Sequence, residues 1–375
     1  MAVQTMPSGS YRSSWCEIDL VRFRRNLGVL MRVAGTKFLL VVKANAYGHG
    51  ISRMAAEAVS AGVDMLGVAT IGEADLLLRD GIGAPLLIMC ALDAEEIDYC
   101  VAHGVHFLAW RPDQFTRAYA AADRYRRKPR IHLEIDTGMS RSGVDVADFA
   151  GLLESLPPAQ RAGVVGLTTH FFAADMQTTD SSEVQLKEYL ECVRVAKALG
   201  LRPLLHVANS PGTIRMPASR LSLVRMGIAA YGLPPSEHTP LPPDVLPIMT
   251  WKANLTNVRT IEPGRGVGYG WRYVASDHEA VGTVAVGYAD GFHRFPLGVN
   301  SVLLQGREAP VLGSVFMDQC VVRLPGPCAL GDTAVLLGPQ GDRALTAEDL
   351  AARWGTNNYD VVAGIRDRVP RRYLE

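Results

Sequence analysis

Between residue 15 and about residue 232, eight short apolar runs alternate with amphipathic stretches. The runs cover 38–42, 65–69, 85–89, 106–110, 131–135, 164–169, 203–207 and 221–225. Most are continuous rather than alternating, the pattern of parallel strands covered on both faces. Segments 20–33, 52–61, 71–79 and 184–199 carry the helical period between them. Eight strand–helix units in one stretch predict an α/β fold with a (β/α)₈ barrel over residues 15–240, preceded by an N-terminal extension of residues 1–14.

The texture changes after a proline-rich linker, residues 233–246. Runs at 250–261, 279–286, 301–304, 309–312, 319–324 and 333–337 are short and separated by Gly/Pro turns, and a helical pattern returns only at 346–354. Residues 241–375 therefore read as a mostly β C-terminal domain.

With 38 basic and 38 acidic residues the formal charge is zero, which removes any global electrostatic case for nucleic acid or an anionic membrane. The six cysteines form no C-x-x-C pair and no zinc-spaced cluster, so no metal is expected. The start shows no apolar stretch of signal-peptide length, and no run approaches a membrane-spanning helix. These features read as a cytoplasmic protein with reduced, buried thiols.

Barrel enzymes carry their chemistry on the loops that follow the strands. The first run delivers Lys43 into VVKANAYGHG, where a turn with Tyr47, Gly48, His49 and Gly50 follows. A lysine there is either a solvated ammonium or a Schiff-base lysine. The fifth run ends in HLEIDTGMSRSG with Glu134, Asp136 and Arg141, the sixth in TTHFFAAD with His170, and the seventh in LHVANS with His206, Asn209 and Ser210. The eighth, LVRMGIAAYG, carries Arg225, Gly227 and Ile228. Singly, a barrel histidine reads as a hydrogen-bonded core residue and Asp-Thr-Gly as a turn. Together they place polar groups at one face of a barrel.

These segments, with GYGWRY, VGYADG, FMDQ, NNYD and RVPRRY further on, resemble the alanine racemase family of fold-type III enzymes dependent on pyridoxal 5'-phosphate (PLP). The resemblance runs through nearly the whole chain. It implies that Lys43 holds PLP and serves as one catalytic base. Tyr47, Ser210, Tyr359 and the backbone of Gly227 and Ile228 would hold the phosphate, and His170 would pack on the pyridine ring. His206 and Asn209 would orient it and Arg225. Arg225 would face the ring nitrogen. A guanidinium keeps its proton, so the ring stays a weak electron sink, whereas PLP decarboxylases and aminotransferases typically place a carboxylate there.

The second base implied is Tyr269, in V-G-Y-G, contributed by a partner subunit of a head-to-tail homodimer. Arg141, Met317 and Tyr288 would meet the substrate carboxylate or lie beside it, with Asp318 in support. The expected activity is two-base racemisation of a small amino acid, L-alanine to D-alanine first. Serine or another small amino acid is a second possibility, and a decarboxylase or lyase on the same barrel a third. Neither nucleic acid nor membrane is expected as a partner.

Three positions depart from the family pattern. Glu134 stands where the family commonly has a lysine, carbamylated in many members, and is expected to pair with Arg141 in its place. Phe316 precedes Met317 where cysteine is common. Gly268 precedes Tyr269 where serine is usual, a change expected to loosen that loop.

Overall fold

The computed structural model describes residues 13–294 and 296–375. Residues 1–12, most of the expected extension, lie outside the described residues. The chain divides into two compact units. One comprises Arg22–Ala46 and Ile51–Leu246; the other comprises Tyr47–Gly50, Pro247–Glu375 and the N-terminal residues through Val21.

The first unit is the barrel. Its strands are β1 (Lys37–Val41), β2 (Met65–Val68), β3 (Leu86–Ile88), β4 (His106–Ala109), β5 (Ile131–Asp136), β6 (Val164–Thr168), β7 (Leu204–His206) and β8 (Leu223–Met226). All neighbours pair in parallel from β1 round to β7, and β8 pairs in parallel with β1. The Ser222 N–H to the Leu205 carbonyl (3.0 Å) and the Arg225 N–H to the Ala208 carbonyl (2.9 Å) close the ring between β7 and β8. The apolar runs became strands because both faces are covered: Leu39, Leu40, Leu66, Leu87, Phe107 and Leu133 have no residual exposure. Long helices such as Leu20–Ala34 and Asp180–Ala198 supply part of that cover.

The second unit is mostly strand. β9 (Met249–Ile261) is its spine, pairing antiparallel with β10 (Glu279–Val284) and with β14 (Thr333–Gln340). β11 (Ser301–Leu304) and β12 (Arg307–Pro310) form a hairpin beside β14, and β13 (Cys320–Arg323) pairs with β10. The strand Ser14–Asp19 also belongs here, antiparallel to β9 and parallel to β15 (Arg371–Leu374). The sequence reading assigned residue 15 onward to the barrel; the pairing partners of this strand lie more than two hundred residues away, and local pattern carries no sign of them. Trp251 anchors the core, its indole N–H donating to Ser14 Oγ at 3.0 Å.

Among the described residues, no helix is long and apolar enough to cross a membrane, and no group of three or more His, Cys, Asp or Glu is arranged to hold a metal. All six thiols are free. Cys16, Cys100, Cys192 and Cys320 are buried as expected, but Cys90, in the loop after β3, is exposed and Cys328 half-buried.

Candidate active site

Lys43 follows β1 by two residues and is half-buried. The backbone after it is unusual. Ala44, Asn45, Ala46 and Tyr47 all have φ of 52–53°, a left-handed turn built without glycine. Each L-residue there costs about 1–2 kcal/mol, so neighbouring groups must hold the turn. The Ala44 N–H donates to Glu73 Oε1 at 2.7 Å, and the Ala46 N–H to the Val42 carbonyl at 2.8 Å. Asn45 Oδ1 accepts the Ile51 N–H at 2.8 Å, tying the turn to the helix Ile51–Ser60. Sequence reasoning placed the turn from Tyr47 onward and missed both Asn45 and Glu73.

Arg225, the third residue of β8, is 6% exposed and held on two sides. Its Nη1 donates to Thr168 Oγ1 (2.9 Å) and to the His206 carbonyl (2.7 Å), with His206 Nδ1 at 3.0 Å. Its Nη2 donates to the carbonyls of Thr169 (2.8 Å) and Val207 (3.2 Å), with His170 Nδ1 at 3.2 Å. Burial lowers its pKa to about 10, against the opposing charge of Glu134, so it remains a cation at neutral pH. Burial, reinforced by Arg225, Arg141 and Lys43, pushes His170 down to about 3. A neutral His170 therefore accepts from Arg225 through Nδ1 and carries its own hydrogen on Nε2.

Ser210, Gly227 and Ile228 also meet. Asn209 caps the short helix Ser210–Arg215, its Oδ1 accepting the Gly212 N–H at 3.1 Å and its Nδ2 donating to the Phe171 carbonyl at 3.3 Å. Ser210 Oγ accepts the Gly227 N–H at 3.1 Å, and Ile228 opens a 3₁₀ turn. Gln185 steadies the neighbouring loop, donating to the His170 carbonyl (3.0 Å) and Thr137 Oγ1 (2.9 Å) and accepting the Phe172 N–H (3.1 Å). It too was missed, since a glutamine on a long amphipathic helix reads as a solvated position.

Glu134 is buried in β5, and Arg141 is exposed on the loop beyond. Burial raises the Glu134 pKa, opposed by a hydrogen bond with the Ser142 side chain and then by the charges of Arg225 and Arg141. Its Oε2 is buried without a hydrogen-bond partner.

The second unit holds the remaining candidates. Tyr47 and Tyr359 lie with ring centroids 6.2 Å apart, and burial holds the Tyr47 phenol above its ordinary range. Tyr269 is 75% exposed and packs edge-on to Phe316 at 5.5 Å. The preceding Gly268 has φ 72°, and a Cβ there would fall 2.9 Å from the Phe316 ring. The two departures are thus one feature: Phe316 occupies the space a side chain at 268 would need. The expectation of a loosened loop gives way to a ring packed against it. The Tyr288 N–H donates to the Phe316 carbonyl and the Ala289 N–H to the Met317 carbonyl, both at 2.9 Å. Arg368 binds Asp318 at 2.6 Å and the buried Asp290 at 3.1 Å.

Family models for the alanine racemase N-terminal domain and C-terminal domain match residues 18–235 and 248–373. The chain belongs to the alanine racemase family. It is 37% identical to the alanine racemase of Symbiobacterium thermophilum, over 96% of this chain and 97% of that one. It is 36% identical to the alanine racemase of Geobacillus stearothermophilus, over 97% and 94%. Among solved structures it resembles the alanine racemase of Streptomyces coelicolor (TM-score 0.92, 36% identity, 99% and 100% covered). It also resembles that of Bacillus anthracis with bound L-Ala-P (TM-score 0.92, 32% identity, 97% and 96% covered). The family is PLP-dependent, and the donors of the barrel unit suit that group: an amine at Lys43, a hydroxyl and backbone N–H groups from Ser210, Gly227 and Ile228 for an anionic phosphate, and a retained cation at Arg225.

Proposed function

We propose that the chain interconverts L- and D-alanine with PLP, using Lys43 on one face of the α-carbon and Tyr269 of the partner subunit on the other. The observation that carries this reading is Arg225, a buried guanidinium held by carbonyls and neutral imidazoles and still protonated at neutral pH. PLP, when bound, draws electrons from the α-carbon and makes its proton removable. A permanent cation as partner for the ring nitrogen keeps that withdrawal modest, which suits returning the proton to the same carbon. A decarboxylase or transaminase is better served by a carboxylate.

In this reading Lys43 Nζ and Tyr269 Oη each hold or deliver one proton. Ser210, Gly227, Ile228, Tyr47 and Tyr359 bind the phosphate, while His170, with His206 and Asn209 behind it, supports the ring. Arg141 takes the substrate carboxylate together with Met317 and Tyr288 from the partner, Asp318 bracing that loop. Glu134 orients Arg141. The high exposure of Tyr269 (75%) and Met317 (54%) supports a homodimer that covers them.

The test offers L-alanine and L-serine separately to the PLP-loaded enzyme and resolves the products by chirality. D-Alanine should form faster than D-serine. Lys43→Ala should abolish both, and Tyr269→Phe should lower turnover by about 10²–10⁴-fold while retaining PLP. Mixing Lys43→Ala with Tyr269→Phe subunits should restore activity through dimers with one intact composite site. Failure of the mixture to exceed either parent would sink the shared-site arrangement.

A further inference from the structure

A line of three histidines crosses the barrel interior to Arg225. His106 opens β4, His132 is the second residue of β5 and His206 ends β7. His106 Nδ1 lies 2.9 Å from His132 Nε2, His132 Nδ1 lies 2.7 Å from His206 Nε2, and His206 Nδ1 lies 3.0 Å from Arg225 Nη1. The three rings are 8%, 1% and 0% exposed and meet edge to face. The barrel is carved to fit them: a Cβ on Gly166 of β6 would fall 2.1 Å from His132 Nδ1.

The direction of this chain follows from its end. A guanidinium donates and never accepts, and the two Nη1 hydrogens are shared among Thr168 Oγ1, the His206 carbonyl and His206 Nδ1, so an N–H at Nδ1 would face a donor. His206 Nδ1 therefore accepts, and a neutral imidazole that accepts at Nδ1 carries its hydrogen on Nε2. That hydrogen points at His132 Nδ1, which must accept in turn, and the same step repeats at His106. Any single reversal sets two N–H groups against each other or leaves two bare nitrogens facing. Burial keeps all three rings neutral, lowering His106 to about 4, and His132 and His206 well below the ordinary histidine value.

We propose that His106 and His132 are positioning residues: with His206 they form a one-way hydrogen-bond chain, begun at the base of the barrel, that locks His206 Nδ1 as an acceptor and so fixes the plane of Arg225. The functional half of this rests on Arg225 serving the cofactor ring; the proton arrangement stands on geometry alone. Removing the acceptor at position 106 strands the His132 Nε2–H in a dry interior, and the cheapest repair is a reversed tautomer that propagates toward Arg225.

Neutron diffraction from deuterated crystals of the PLP-loaded enzyme reads the arrangement directly. Deuterons on Nε2 of His106, His132 and His206, with all three Nδ1 bare, are expected; a deuteron on any of these Nδ1 atoms overturns the chain. The functional half is read with His106→Leu, which removes the acceptor, and His106→Asn, which restores an acceptor oxygen. The Leu variant should lower kcat about ten-fold with KM nearly unchanged, and should shift the absorbance of bound PLP; the Asn variant should recover most of both. A Leu variant equal to wild type in kcat and spectrum overturns the coupling. If it fails to fold, the Asn variant and the neutron map still decide. Arg225→Lys with the histidines intact tests the underlying reading separately: an unchanged absorbance of bound PLP and unchanged kcat would detach Arg225 from the cofactor ring.

Discussion

Gly268 and Phe316 share one volume: a Cβ on the glycine would lie 2.9 Å from the phenylalanine ring, and the glycine φ of 72° is closed to most side chains. Gly268→Ser should therefore displace the ring or the loop that carries Tyr269, reducing kcat at least about ten-fold. Phe316→Cys added to it vacates the space and should recover much of the loss. Steady-state kinetics of the two single variants and the double variant form the cycle. Strict additivity would show that the two positions act independently.

Glu73 anchors the turn after Lys43 from a distance of 29 residues in the chain. Oε1 takes the Ala44 N–H, and Oε2 takes the N–H groups of Ala69 (2.8 Å) and Thr70 (3.3 Å). Hydrogen bonds to a charged acceptor contribute about 1.5–3 kcal/mol. Glu73→Ala should cost about that much in urea unfolding and weaken PLP binding, because four left-handed residues lose a restraint. Glu73→Gln keeps an acceptor for Ala44 but puts an NH₂ against two amides, so it should fall between. Unchanged PLP affinity in the Ala variant would separate the turn from cofactor binding.

The barrel was legible because buried parallel strands are written as unbroken apolar runs, and all eight fall within about two residues of their observed bounds. The start of β8 shows the limit of such reading: Leu221 is apolar but has φ 40°, and the strand begins at Leu223. Non-local pairing was not legible, as with Ser14–Asp19, whose two neighbours come from the far end of the chain. Among site residues, Lys43 and Arg225 stood out as charges in apolar runs. The turn at 44–47 did not, since nothing in Ala-Asn-Ala-Tyr announces a left-handed backbone and Glu73 lies in a separate helix. His106 and His132 read as strand residues because only the folded barrel brings them together.

Glu134→Gln addresses the buried carboxylate of β5, which does not form the expected ion pair with Arg141 here and feels the charge of Arg141 only after that of Arg225. The carboxylate is buried with one oxygen unpartnered, a costly arrangement that two guanidinium charges partly offset. Removing the charge should alter stability by no more than about 1 kcal/mol, since the desolvation cost vanishes along with the attraction. If Glu134 orients Arg141, KM for alanine should rise several-fold. Equal KM and kcat in the variant would end that role.

Protonation of the barrel histidines sets an acid limit on stability. His106 and His170 are depressed from 6.5 to about 4 and about 3, and His132 and His206 lie well below 6.5, burial being the largest cause in each. A depressed histidine stays neutral in the fold while the unfolded chain takes up a proton below about 6.5. Its contribution is complete above that pH and is lost as pH falls toward the folded value. Each such histidine removes up to about 1.4 kcal/mol per pH unit. Glu134, whose pKa is raised, acts in the opposite sense, since the folded state binds its proton more readily than the unfolded chain does. Four histidines against one carboxyl leave a net loss. Urea unfolding followed from pH 7 to pH 5 should therefore show stability falling steeply below 6.5. His106→Leu should lessen that slope by about one proton's worth, and a stability flat across this range would mean that the four imidazoles are not held neutral.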